Sequence, residues 1–119
     1  MNKPNGTGIG RIIKATNCSL KGLKAVYKHE AAFRQELFLV VLLTPAAFYL
    51  GDSAFEICLM IFGLTLVLLV EVFNSALEAV VDRIGLEHHE LSGRAKDLGS
   101  LAVSLAIFMC AIIWLSVLL

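Results

Sequence analysis

Glu71, Asn74, Glu78 and Asp82 recur three and four residues apart inside an otherwise apolar stretch. At 100° per residue, Glu71, Glu78 and Asp82 fall within about 20° of one line along a helix, with Asn74 and Ser75 flanking it. Carboxylates beside lipid are costly unless they are paired, solvated or metal-bound. Two carboxylates and an Asn amide are hard oxygen ligands of the kind Mg²⁺ uses together with phosphate oxygens. A remaining acid is then free to act as a base. The competing reading is helix–helix adhesion, since Ser75, Ala76 and Ala79 are small enough for close packing on that side.

The elements that must carry this stripe follow from composition. Of 119 residues, 58% are hydrophobic and 17% charged, more apolar than a water-soluble domain of this length. Such a chain is not disordered, its length allows one domain, and its balance of ten basic and ten acidic residues excludes a typical nucleic-acid binder. The balance hides segregation. Seven of the ten bases lie in residues 1–36, six of the ten acids in residues 71–97, and residues 98–119 carry no charge. A membrane helix needs about 20 apolar residues. Residues 31–50, 55–81 and 98–119 meet that requirement, with Pro45 tolerated in the first and the Gly51-Asp52-Ser53 turn following it. A span starting near Phe55 reaches Glu71 after about 24 Å, close to the headgroup level. The basic residues predict a cytoplasmic N-terminus and a periplasmic C-terminus. No signal peptide is expected, because residues 1–30 lack an apolar h-region.

Between about residues 8 and 28, Ile9, Ile12, Ile13, Leu20, Leu23 and Tyr27 share one helical side, and Arg11, Lys14, Lys21, Lys24 and Lys28 another. This predicts an amphipathic helix lying on an anionic membrane surface. Gly6, Gly8 and Gly10 read as a flexible lead-in. Residues 83–97 are expected to form a polar loop at the mouth of the stripe. Its adjacent His88 and His89 are a weak zinc signal, and Gly93 suits a turn or a close approach to a ligand. Cys18, Cys58 and Cys110 have no metal spacing and read as small apolar fillers. No Walker A, HRD or DFG motif occurs, so any phosphate chemistry must be built from helices.

Three runs of residues resemble the prokaryotic diacylglycerol kinases: 30–36 (EAAFRQE), 71–85 (EVFNSALEAVVDRIG) and 89–97 (HELSGRAKD). Residues 11–15 (RIIKA) and 21–24 (KGLK) also fit, so the likeness spans essentially the whole chain. It is greatest to the Gram-negative enzymes; Gram-positive relatives include undecaprenol kinases. The resemblance implies an all-α membrane protein of three transmembrane helices plus an N-terminal surface helix. It further implies a homotrimeric bundle in the bacterial inner membrane, with active sites shared between subunits. The implied reaction moves the γ-phosphoryl group of MgATP to diacylglycerol, giving phosphatidic acid.

By the same resemblance, Glu71 is the general base, Glu30 and Glu78 are the metal-linked carboxylates, and Asn74 is a further site residue. Arg11, Cys18, Glu30, Glu78, Glu87, His88, His89, Lys96 and Asp97 fall at nucleotide positions. Arg11, Ser19, Arg34, Gln35, Glu36, Glu71 and Ser100 fall at lipid-substrate positions. Other readings of the residues stay open at this point: undecaprenol as the acceptor, a transporter lined by the acids, or a small non-enzymatic membrane subunit. A transporter is disfavoured because no acid lies between the stripe and the Asp52/Glu56 turn, so no relay crosses.

Overall fold

The computed structural model describes residues 7–119; Lys3 and Gly6, part of the basic N-terminal segment and its glycine lead-in, lie outside them. The described residues form four helices and no strand: α1 Ile9–His29, α2 Ala31–Leu50, α3 Ala54–Ile84 and α4 Glu90–Leu118. The chain divides into two compact units, residues 1–31 and 32–119.

The first unit holds α1. Its N-cap, Gly8, has φ 62°, a left-handed conformation that favours glycine. Gly10, expected in the lead-in, is already helical. Lys28 and His29 occupy the last turn, where cations complement the carbonyl end of the helix dipole. Glu30 stops the helix by turning extended, and its N–H still donates to Val26 O at 3.0 Å.

In the second unit, α2 runs unbroken through Pro45. Proline cannot donate a helix hydrogen bond; just before it, the Thr44 hydroxyl donates to Val40 O at 2.6 Å. The 51–53 turn is tight, because a Cβ on Gly51 would press on Ile57 and on the Ala47 carbonyl. A reciprocal cap then starts α3: Ser53 Oγ accepts from Glu56 N at 3.1 Å, and Glu56 Oε1 accepts from Asp52 N at 2.9 Å.

The tight pairing of the unit is between α3 and α4, which run antiparallel. Trp114 Nε1 donates to Met60 O at 3.2 Å, Gly63 abuts Cys110, and Gly99 abuts Asn74. Met60, Gly63, Leu64, Val67 and Glu71 are the buried residues on this side of α3. They recur at three- and four-residue spacings, so the acid stripe continues the apolar packing stripe along one face.

All three helices of this unit are long and apolar enough to cross a membrane. At 1.5 Å per residue, the 20 residues of α2 match a hydrocarbon core of about 30 Å. The 31 residues of α3 and the 29 of α4 exceed it by about 15 Å. The excess carries the polar end of each helix. The expected loop over 83–97 is therefore corrected. The connection is only residues 85–89, and the sequence from Glu90 to Asp97 is helical, Gly93 included. The cause is a cap in the middle of that segment: His89 is extended, and its Nδ1 accepts from Leu91 N at 3.1 Å.

Candidate active site

Glu71 is 5% exposed and is the one buried charged residue among the described residues. Its neighbours explain how α3 tolerates it. Asn74 lies one turn on, and its Nδ2 donates to Glu71 Oε2 at 3.2 Å and to Glu78 Oε1 at 2.9 Å. An amide nitrogen has two hydrogens, and the i−3 and i+4 positions place one carboxylate before each of them. One side chain thus ties the two acids into a single unit. Glu36 of α2 completes the group, its carboxyl facing that of Glu71. Glu36 Oε2, Asn74 Oδ1 and Ser75 Oγ are buried without a hydrogen-bond partner.

A second cluster follows toward the end of α3. Lys96 Nζ meets Asp82 Oδ1 at 2.8 Å, with both side chains nearly half exposed. The pair borders a small groove of about 170 Å³ shared with Gly85, Glu87, His88 and His89. Glu87 folds its carboxylate back against Gly85, where a Cβ would collide with it. Arg94 and Glu90, 3.7 Å apart one turn along α4, are a well-exposed pair of little energetic weight.

The expected residues therefore fall into groups. Glu36, Glu71, Asn74 and Glu78 come together in the packed part of the unit. Lys96, Glu87, His88 and His89 gather at the groove. Asp97 and Ser100 are exposed on α4, and Arg34 and Gln35 on α2. Arg11, Cys18 and Ser19 are exposed on α1, which Glu30 terminates. Sequence reasoning placed Asp82 on the stripe without giving it a partner; a lone acid opposite a lone lysine across the connection was the available signal. His89 as an N-cap was missed, although its ring nitrogen can accept where Ser or Asn usually does.

Among the described residues no three His, Cys, Asp or Glu side chains gather to hold a metal. The donors at hand are carboxylates, which suit a hard divalent ion that brings phosphate oxygens and water with it; the Asn74 oxygen, expected among the ligands, faces Gly99 instead. Cys18, Cys58 and Cys110 are free thiols; Cys18 and Cys58 are exposed rather than filling space, while Cys110 packs against Gly63.

The sequence profile described as prokaryotic diacylglycerol kinase matches residues 17–118. The chain belongs to this family. The family match takes in both acid clusters and leaves only Arg11, of the expected site residues, outside it. The chain is 52% identical over 108 residues to a diacylglycerol kinase of Haemophilus influenzae, covering 91% of this chain and 92% of the relative. It is 54% identical over 110 residues to that of Escherichia coli, covering 92% and 90%. It is 49% identical over 113 residues to that of Pseudomonas aeruginosa, covering 95% and 92%.

Proposed function

We propose that the chain is a membrane lipid kinase that transfers the γ-phosphoryl group of ATP to diacylglycerol and forms phosphatidic acid. The observation that carries this reading is the Glu71–Asn74–Glu78 unit, at the polar end of a membrane-length helix, in a chain of this family.

Phosphoryl transfer asks a protein mainly for positioning and charge stabilisation. Glu71, about 10 Å further along the helix from the polar end than Glu78, takes the proton of the lipid hydroxyl. The hydroxyl oxygen then bonds to the γ-phosphorus, the bond from phosphorus to the bridging oxygen breaks, and ADP leaves. Asn74 orients both carboxylates. In the second unit, Glu78 would hold a divalent ion, Mg²⁺ by the hardness of its oxygens, and that ion would neutralise phosphate charge. Lys96 and the Glu87–His88–His89 segment bind nucleotide, with Asp97 beside it, and Arg34, Gln35, Glu36 and Ser100 border the lipid. In the first unit, Glu30 is a metal-linked carboxylate, Arg11 and Cys18 serve the nucleotide, and Ser19 serves the lipid. The lipid stays in the membrane and ATP in water, and the stripe bridges them.

The same reading makes α1 an amphipathic helix on the inner face of the bacterial inner membrane. The N-terminus is cytoplasmic, the C-terminus periplasmic, and the assembly a homotrimer with shared sites. Its support is the run of exposed Ile9, Ile12, Ile13, Leu20 and Leu23 beside basic residues, and the family likeness.

The test is a competition in mixed micelles containing equal diacylglycerol and undecaprenol with MgATP. The expected product is phosphatidic acid. Predominant undecaprenyl phosphate would replace diacylglycerol as the acceptor, and no phosphorylated lipid from folded protein would refute the kinase reading.

A further inference from the structure

We infer that Gly99 is a positioning residue for phosphoryl transfer: its missing side chain is what allows α4 to hold the Asn74 amide across Glu71 and Glu78. The inference rests on the kinase reading above for its kinetic consequence, and on geometry for its cause.

Both Asn74 Nδ2 hydrogens are committed to carboxylates. The other end of the amide, Oδ1, is buried and has no conventional hydrogen-bond partner. It lies against Gly99, which is itself buried. A Cβ at position 99 would overlap Asn74 Oδ1 and would sit 3.2 Å from both Asn74 Cγ and Leu77 Cδ2. The leucine tip can swing aside; the amide cannot without leaving its carboxylates. In place of a side chain, glycine offers Oδ1 a Cα–H group, a weak donor suited to a carbonyl oxygen. The backbone of α4 thus closes one side of the amide. The two carboxylates fix which way the amide faces, because the flipped orientation would aim an oxygen at them.

The helices themselves have little room to yield. Three turns along the same seam, a Cβ on Gly63 would lie 3.1 Å from Cys110 Sγ and 3.2 Å from Cys110 Cα. Trp114 is hydrogen-bonded to the Met60 carbonyl just beyond. A methyl group at position 99 is therefore accommodated by displacing Asn74, and the bridge between the base and Glu78 breaks.

The experiment compares the parent, Gly99→Ala, Asn74→Ser and the double variant in detergent micelles. It measures kcat and KM for MgATP with diacylglycerol, together with the ¹⁵N–¹H signal of the Asn74 side-chain amide. That signal is assigned by its loss in Asn74→Ser. Gly99→Ala is expected to move the amide signal and lower kcat about 10- to 100-fold, with a smaller rise in KM for MgATP because Glu78 loses its partner. In the Asn74→Ser background, which leaves space for the methyl group, adding Gly99→Ala is expected to cost less than about twofold more. A Gly99→Ala protein with an unmoved amide signal and near-parental kcat overturns the inference, as do losses that multiply in the double variant. If Gly99→Ala alone fails to fold, recovery of folded protein in the double variant supports the contact, and failure there overturns it. A parent that phosphorylates no diacylglycerol would refute the kinase reading alone, since the amide signal still decides the contact.

Discussion

Water reaches the two charged clusters of the site to different degrees. The Asp82 and Lys96 side chains keep 47% and 45% of their exposure, so water screens their 2.8 Å pair. The role of Lys96 must then lie in what else it binds. A charge-assisted hydrogen bond to phosphate is stronger than a screened surface pair. Lys96→Met is accordingly expected to raise KM for MgATP about 10- to 100-fold, whereas Asp82→Asn changes it by less than about fivefold. Steady-state kinetics at saturating lipid check both; equal effects would make the ion pair itself the functional unit. Glu71 differs because it is packed in the seam and held by Asn74. The spacing of the acids made this line of residues visible in the sequence. It did not reveal that Asn74 spends both its donors on them, or that Glu36 arrives from another helix. Those facts depend on side-chain direction and on how α2 packs against α3.

At the level of elements, the α3–α4 seam decides where the site is held. The Trp114 Nε1 to Met60 O bond crosses it at the end remote from the acids. Trp114→Phe removes that donor and trims the indole to a single ring, so it should cost about 1–3 kcal/mol of stability. Thermal unfolding in detergent measures the loss, and kcat should stay near the parental value; a large fall in kcat with unchanged stability would contradict this division. Some elements were legible from local chemistry. The Gly51-Asp52-Ser53 turn separates two apolar runs, and the Ser53–Glu56 cap that starts α3 there became visible only in the structure. The start of α4 was not legible, because charged residues 90–97 resemble a loop until His89 is recognised as a cap. Gly99 was invisible for a different reason. A glycine in an apolar run has no partner until the antiparallel register sets it opposite Asn74.

For the whole molecule, neutrality is an average over a basic first helix, acid-rich ends and a final run without charge. That segregation marks the segments that are apolar enough to cross a membrane. The exposed faces of the membrane-length helices carry large apolar residues such as Phe38, Phe62 and Phe108. Either lipid or a second copy is able to cover such faces. Chemical cross-linking of purified protein in mild detergent is expected to give a ladder ending at three copies; a ladder ending at one would remove the proposed sharing of sites. Composition could not have revealed this number, since an apolar surface fits lipid and protein alike. The most direct test of the account is transfer of ³²P from γ-labelled ATP to diacylglycerol in mixed micelles, by the parent and by Glu71→Gln. The account predicts labelled phosphatidic acid from the parent that disappears when divalent ions are chelated. From Glu71→Gln it predicts a rate at least about 10²-fold lower with nucleotide still bound. A Glu71→Gln protein that turns over at the parental rate would contradict it.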